Sequence, residues 1–321
     1  AISDASILST TSLLALLLIM ASNGASSGGP PLAGNINVAL GKGELPTATL
    51  SHPSGASCEV VLTGAHVTSW RTVDGVERLF VSSASGYGPG VAIRGGIPVC
   101  FPQFSGRGEL PKHGFVRTSD EWEIAEMSSE GGACRLVLRL AATDATRALW
   151  PHEFEATYAI TLTEGGLSTE LAVANTHEAA PLSFTAALHT YFGVSDVSEV
   201  GVRGLHGLTY EDNAAGGTTA TEAAEEVRLA GEVDRVYLDA PEQVVLRYPT
   251  AAEGKLIVSK SPAFRDVVLW NLGEAKAPSM ADLGEGEWRR YVCLEAGAIG
   301  TPVTLAPGES FVGTQSFSHE A

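Results

Sequence analysis

The sequence predicts an all-β protein: a large antiparallel β-sandwich built as one domain. Three observations carry this. Short apolar or alternating runs recur along the chain, separated by turn residues. No long stretch keeps the 3.6-residue period of a buried helix face. The runs number more than a dozen with no internal repeat, which suits one closed or stacked sheet system rather than a solenoid.

The elements follow in order. Residues 1–36 are set apart from residues 37–321, which are expected to form the single domain. Residues 1–41 hold one acid, Asp4, and no Lys or Arg, among many Ser, Ala, Gly and Thr. The apolar run Leu13 to Met20 is far shorter than the ~20 residues of a membrane span. It has the length of a signal core but no basic flank before it. Residues 1–36 are therefore expected to be a targeting remnant or disordered tail, with a docking segment as the alternative. Strands are then expected at Cys58–Leu62, Gly64–Trp70 and Arg78–Val81, with Asp74-Gly75 as a turn. Cys134, Leu136 and Leu138 alternate with Arg135, Val137 and Arg139. Phe154–Leu162 and Leu167–Val173 alternate likewise around Glu164-Gly165-Gly166, which reads as a hairpin. Further runs follow to Ser310–Phe317, the last entered by the turn Pro307-Gly308-Glu309. Residues 221–226 have the composition of one helical turn.

Composition narrows the function classes. A chain of 321 residues, 44% hydrophobic and 18% charged, fits a globular protein with a sizeable core. A formal charge of −17 argues against nucleic acid and anionic membrane surfaces as partners. Any anionic ligand needs local positive charge. The four cysteines, Cys58, Cys100, Cys134 and Cys293, form no CxxC pair. Their apolar neighbours point to buried free thiols rather than two disulfides.

That local positive charge lies between Ile93 and Arg117. The window carries Arg94, Arg107, Lys112 and Arg117 against one acid, Glu109. With 20 Lys and Arg in 321 residues, about 1.5 would be expected in a window of that length. Its Gly pair and three prolines break any period, so it reads as a shaped loop held on a sheet scaffold.

Several residues are able to carry acid–base or binding chemistry. His189 ends an apolar run and has an ordinary pKa near ~6.5, within reach of neutral pH. A satisfied core histidine is the plain structural alternative. Glu295 ends the run Tyr291–Leu294, where an ionised carboxylate is costly unless paired; a strand-end residue turning to solvent is its alternative. Asp234 either pairs with Arg235 or accepts bonds from sugar hydroxyls. His113 either packs the loop or meets a substrate, and Trp270 offers an aromatic face. No Gly-x-Ser-x-Gly, phosphate-binding loop or His-Glu-x-x-His is present.

In order along the chain stand Arg-Gly-Gly-Ile-Pro-x-Cys-Phe-Pro-Gln-Phe from Arg94, Leu-Pro-x-His-Gly-Phe-x-Arg from Leu110, and Leu-His-Thr-Tyr-Phe from Leu188. Val-Asp-Arg-Val-Tyr from Val233, Met-Ala-Asp-Leu from Met280 and Val-Cys-Leu-Glu from Val292 follow. Together they resemble the glucose-6-phosphate 1-epimerases, the hexose-6-phosphate mutarotases of the aldose 1-epimerase superfamily, over about residues 45 to 318. The resemblance implies a galactose-mutarotase-like sandwich and an isomerase that interconverts the α and β anomers of a hexose 6-phosphate. It implies His189 as general acid and Glu295 as general base. It implies Arg94, Lys112, His113, Arg117 and Asp234 in the substrate pocket, with Arg94 and Arg117 on the phosphate. Two positions depart: Lys112 stands where the family usually has Gln, and Thr118 where it usually has Asn.

The chemistry requires no metal and no cofactor, because two titratable groups on opposite sides of a pyranose ring suffice to open it. Two alternatives stand beside this reading: a mutarotase of unphosphorylated aldoses, and a non-catalytic sugar-binding subunit of a larger complex docked through residues 1–36. The expected partner is a small sugar phosphate, with no nucleic acid and no membrane span. The leader composition, and the resemblance of the Cys-Phe-Pro-Gln-Phe block to plant and algal members of that family, imply a plastid, with the cytoplasm as the alternative.

Overall fold

The computed structural model describes residues 34–249 and 254–320. The expected leader or docking segment lies outside the described residues up to residue 33. Asn35 and Ile36 already belong to the first strand, Asn35–Leu40.

Three antiparallel sheets make up the described residues. The first has four strands in sequence order, Asn35–Leu40, Pro46–Ser51, Ser57–Val61 and His66–Arg71. The second has eight. From edge to edge it runs Thr218–Thr221, Thr209–Asp212, Val233–Tyr237, Asp266–Asn271, Tyr291–Leu305, Leu182–Leu188 and Val99–Cys100; Tyr191–Gly193 also pairs with Tyr291–Leu305. The third has nine: Glu226–Arg228, Gly201–Arg203, Gln243–Arg247, Lys255–Lys260, Ser310–Glu320, Gly166–Asn175, Phe154–Thr163, Ala133–Ala141 and Glu123–Glu130.

The alternating runs form strands because one face of each is buried. Cys134, Leu136, Leu138 and Leu140 are all buried while their neighbours are half-exposed. The expected hairpin is present: Phe154–Thr163 pairs with Gly166–Asn175, closing at Thr163 opposite Gly166. The nine-stranded sheet packs on the eight-stranded one through aromatic contacts, Phe184 on Phe311 at 5.6 Å and Phe192 on Phe317 at 5.0 Å between centroids. All four cysteines are buried free thiols. No helix among the described residues is long and apolar enough to cross a membrane.

Three local expectations change. Arg78–Val81 forms no strand: isolated bridges alone, Leu79 to Phe192 and Val81 to Gly95, tie it to its neighbours. Residues 221–226 form no helical turn; the chain there passes from one short strand to the next. A six-residue helix, Asp144–Leu149, is present instead, closed by a capping box in which the Thr143 and Thr146 hydroxyls bond each other's backbone N–H. Six residues are too few to show a period, so only the cap chemistry marks it.

One irregularity positions the functional site. Between Phe184 and Ala186 the partners on the long strand jump from Val303 to Ala298, five residues against two. The extra backbone is held by Asp266, whose Oδ2 accepts the N–H groups of Ile299 and Gly300 at 2.8 Å each. Beyond the bulge, Leu188 faces Ala296 and Tyr191 faces Cys293. These two pairs share one register, so His189 in the gap between strands falls opposite Glu295.

Candidate active site

His189 and Glu295 meet as that register requires, side by side on one face rather than on opposite sides of a ring. The His189 Nδ1 lies 3.2 Å from Glu295 Oε1, with the two side chains 8% and 1% exposed. The approach does not make a hydrogen bond, and Nδ1 of His189 and Oε2 of Glu295 are both buried without a partner. Buried polar atoms are seldom left so. The backbone around them is fixed. The His189 N–H donates to the Pro98 carbonyl at 3.0 Å, and Leu294 N–H donates to the Thr190 carbonyl. Gln315 of the nine-stranded sheet donates to the Thr190 hydroxyl from below at 3.0 Å.

The strand register gathers further side chains on the same face. Asp234 pairs with Trp270, and Trp270 with Cys293, two residues before Glu295. Tyr191 stacks on the His189 ring at 4.7 Å and 9°, and Trp270 meets that ring edge-on at 5.5 Å. The His113 ring lies 5.3 Å from that of His189. Ser105 N–H donates to His113 Nδ1, and the Cys100 thiol lies 3.2 Å from the same nitrogen. With Nδ1 accepting, the neutral His113 ring carries its proton on Nε2.

The basic loop is folded tightly against this face. Val99–Cys100 pairs with Ala187 and Leu188, directly before His189. Gly96 has φ of 64°, and a Cβ there would collide with the Val67 carbonyl and the His66 ring, so only glycine lets the loop approach.

Its four cations have different fates. Arg94 gives two N–H groups to Asp282 Oδ2, at 3.1 and 2.9 Å, and a third to the Tyr191 hydroxyl at 3.0 Å. Arg107 pairs with Glu211. Arg117 donates to the Lys112 carbonyl at 3.0 Å, and its Nε is buried without a partner. Lys112 is exposed and makes no ion pair among the described residues. The island is therefore less basic than the window alone implied, because Asp282 and Glu211 reach it from distant segments. Arg107 is taken out of the pocket's positive charge.

Burial dominates the electrostatics. It pushes the Glu295 carboxyl well above the usual range; Asp234 adds to this and Lys112 opposes it. It pushes His189 well below its usual value, and nearby His113, Arg94, Arg117 and Lys112 act in the same direction. Burial thus favours a neutral imidazole beside a protonated carboxyl. Burial, then Arg117, Lys112 and Arg94, takes His113 down to about 3. Burial raises Asp234, while the bond it accepts from Asn213, 2.8 Å long, pulls the other way.

Of the residues singled out in the sequence, His189, Glu295, His113, Arg94, Arg117, Lys112 and Asp234 all lie on or beside this one face. Asn271, next to Trp270, is structural: its amide donates to the Trp288 and Tyr291 carbonyls. Sequence reasoning gave no role to Tyr191, Asp282, Cys293 or Asp266. Tyr191 and Cys293 stood inside quoted motifs, but only the folded register shows that they touch His189 and Glu295.

The comparisons with known proteins bear on the family and the fold. The sequence profile of the Aldose 1-epimerase family matches residues 46–318. A protein of Cenchrus ciliaris provisionally named glucose-6-phosphate 1-epimerase is 38% identical over 81% of this chain and 80% of its own length. A protein of Escherichia coli with the same provisional name is 31% identical over 78% of this chain and 83% of its own. A crystal structure from Salmonella typhimurium, provisionally described as a mutarotase, superposes with a TM-score of 0.79 at 25% identity. It covers 95% of this chain and all of that one. The profile match and these relatives place this chain in the aldose 1-epimerase family of isomerases.

Proposed function

We propose that this chain interconverts the α and β anomers of a hexose 6-phosphate, with glucose 6-phosphate as the substrate. The observation that carries the reaction is the buried, unpartnered His189–Glu295 pair. Anomer exchange opens the pyranose ring. Glu295 takes the proton of the C1 hydroxyl while His189 gives one to the ring oxygen. The C1–C2 bond then turns, and closure on the other face reverses both transfers. The buried pair then holds one proton between its two groups. Passing it from carboxyl to imidazole generates the acid and the base together, with no net proton taken from solvent. Each positioned group typically contributes about 10²–10⁴-fold.

Support for the phosphate comes from Arg94, Arg117 and Lys112 on the wall beside the pair. It also comes from the provisional names of the relatives. A planar guanidinium binds phosphate oxygens in pairs, and each charge-assisted bond contributes about 1.5–3 kcal/mol net. The second reading is a mutarotase of unphosphorylated aldoses. It is favoured by one observation: Arg94 already has a carboxylate partner in Asp282.

NMR exchange spectroscopy on glucose 6-phosphate and on glucose separates the two. The first reading expects micromolar protein to accelerate anomer exchange of the phosphate ester by a larger factor than that of glucose. Equal efficiency on both sugars leaves the second. No acceleration of either removes both.

A further inference from the structure

We infer that the acid–base pair doubles as an inhibitory site for a thiophilic divalent cation such as Zn²⁺, with Cys293 as the third ligand. One donor atom each from His189, Cys293 and Glu295 lies within 4.8 Å of the other two, and all three residues are buried. Cys293 and Glu295 are two apart on one strand and so share a face. His189 meets them across the strand gap, with Tyr191 opposite Cys293. Imidazole, thiolate and carboxylate together are a zinc set, and three protein ligands leave a fourth position for water.

A second observation points to a ligand. His189 Nδ1 and Glu295 Oε2 are buried with no hydrogen-bond partner. A tetrahedral zinc with bonds of about 2.0–2.3 Å holds its donor atoms about 3.3–3.8 Å apart. The nitrogen and carboxylate oxygen already stand at 3.2 Å, so the thiol is the group that closes in. Three bonds form to the metal. The thiol and the carboxyl release their protons to solvent, and the neutral imidazole binds through its lone pair.

The substrate's reaction makes no use of Cys293, and His113 is held off by its bonds to Ser105 and Cys100. Metal binding as such does not depend on the proposed substrate; only the inhibition rests on that reading. An occupied pair has neither a base for the C1 hydroxyl nor a proton for the ring oxygen.

The test uses the full chain stripped with a chelator and titrated with Co²⁺. The inference expects one equivalent to bind, with a thiolate-to-cobalt charge-transfer band and visible bands of tetrahedral intensity, all displaced by Zn²⁺. Cys293→Ser should abolish the charge-transfer band, while Cys100→Ala, the neighbouring thiol, should keep it. Loss of groups merely supporting a ligand costs about 10–100-fold in metal affinity, so loss of the ligand itself should cost at least that. Circular dichroism of each variant shows whether it has folded. In the exchange assay, Zn²⁺ should inhibit the parent protein, and Cys293→Ser should need at least about tenfold more, measured against its own uninhibited rate. Absence of the band, or a band that survives Cys293→Ser, overturns the site. If cobalt binds through Cys293 but the protein accelerates no sugar's exchange, the functional reading fails and the metal site stands.

Discussion

The strand-borne pair and the basic loop differ in how much of their chemistry survives folding. His189 and Glu295 are set by backbone pairing: one register, fixed on both sides of a gap, puts an imidazole across from a carboxyl at 3.2 Å. The loop is set by its own turns and by what reaches it from elsewhere. Two of its four cations acquire acids from distant segments, Asp282 and Glu211. Register conserves a chemical relation between two residues. A charge count in a sequence window conserves none, because partners arrive from outside it.

The largest expected effect tests the strand side. Glu295→Gln removes the base but keeps the volume, and anomer exchange should fall by about 10²–10⁴-fold. Undiminished exchange would remove the pair from the mechanism.

Next is the loop side. Replacing Arg94 by Met, together with Asp282→Asn so that no acid is left unpaired, should weaken hexose 6-phosphate by about 10–150-fold in kcat/KM, the equivalent of one charge-assisted bond. Glucose should be little affected. Equal losses on both sugars would make Arg94 a positioning residue acting through Tyr191, which erases the contrast between the two regions.

The bulge provides a third test. Asp266→Ala leaves the buried N–H of Ile299 unpaired, at a cost of about 1–3 kcal/mol, and gives the N–H of exposed Gly300 over to solvent. Thermal unfolding should move down accordingly. Exchange should fall by more than the unfolded fraction explains, because the bulge sets the register between His189 and Glu295. A stability loss with full activity per folded molecule would separate the bulge from the site.

The loop's foundation is pH-sensitive in a defined sense. His66 Nε2 donates to the Gly95 carbonyl at 2.7 Å, and burial takes its pKa from 6.5 to about 4. Above 6.5 folded and unfolded states are both neutral and the contribution is complete. As pH falls from 6.5 to about 4 the unfolded chain takes a proton that the folded one refuses, and stability drops by about 1.4 kcal/mol per pH unit. His66→Gln, which keeps a donor without titrating, should flatten the acid limb of the melting temperature.

The smallest effect belongs to Lys112. It is exposed, so Lys112→Gln should change hexose 6-phosphate efficiency within a few-fold, and less at high salt. A larger, salt-resistant loss would make Lys112 a direct phosphate contact and would strengthen the loop's claim to the anion.

The sequence by itself determined the sheet class, the hairpin around Gly165 and the burial of the cysteines. These follow from alternation and turn chemistry, which act over neighbouring residues. It also pointed to His189, Glu295 and the loop, through motifs whose order along the chain is unusual. It was silent on Asp266, Tyr191 and Cys293, and it overstated the loop's free charge. Those depend on which residues of distant strands face each other. A bulge held by one carboxylate shifts that facing by three residues, and no local pattern records it. The protonation of the pair belongs to the tertiary structure as well, because only burial beneath the folded loop pushes a carboxyl up and an imidazole down.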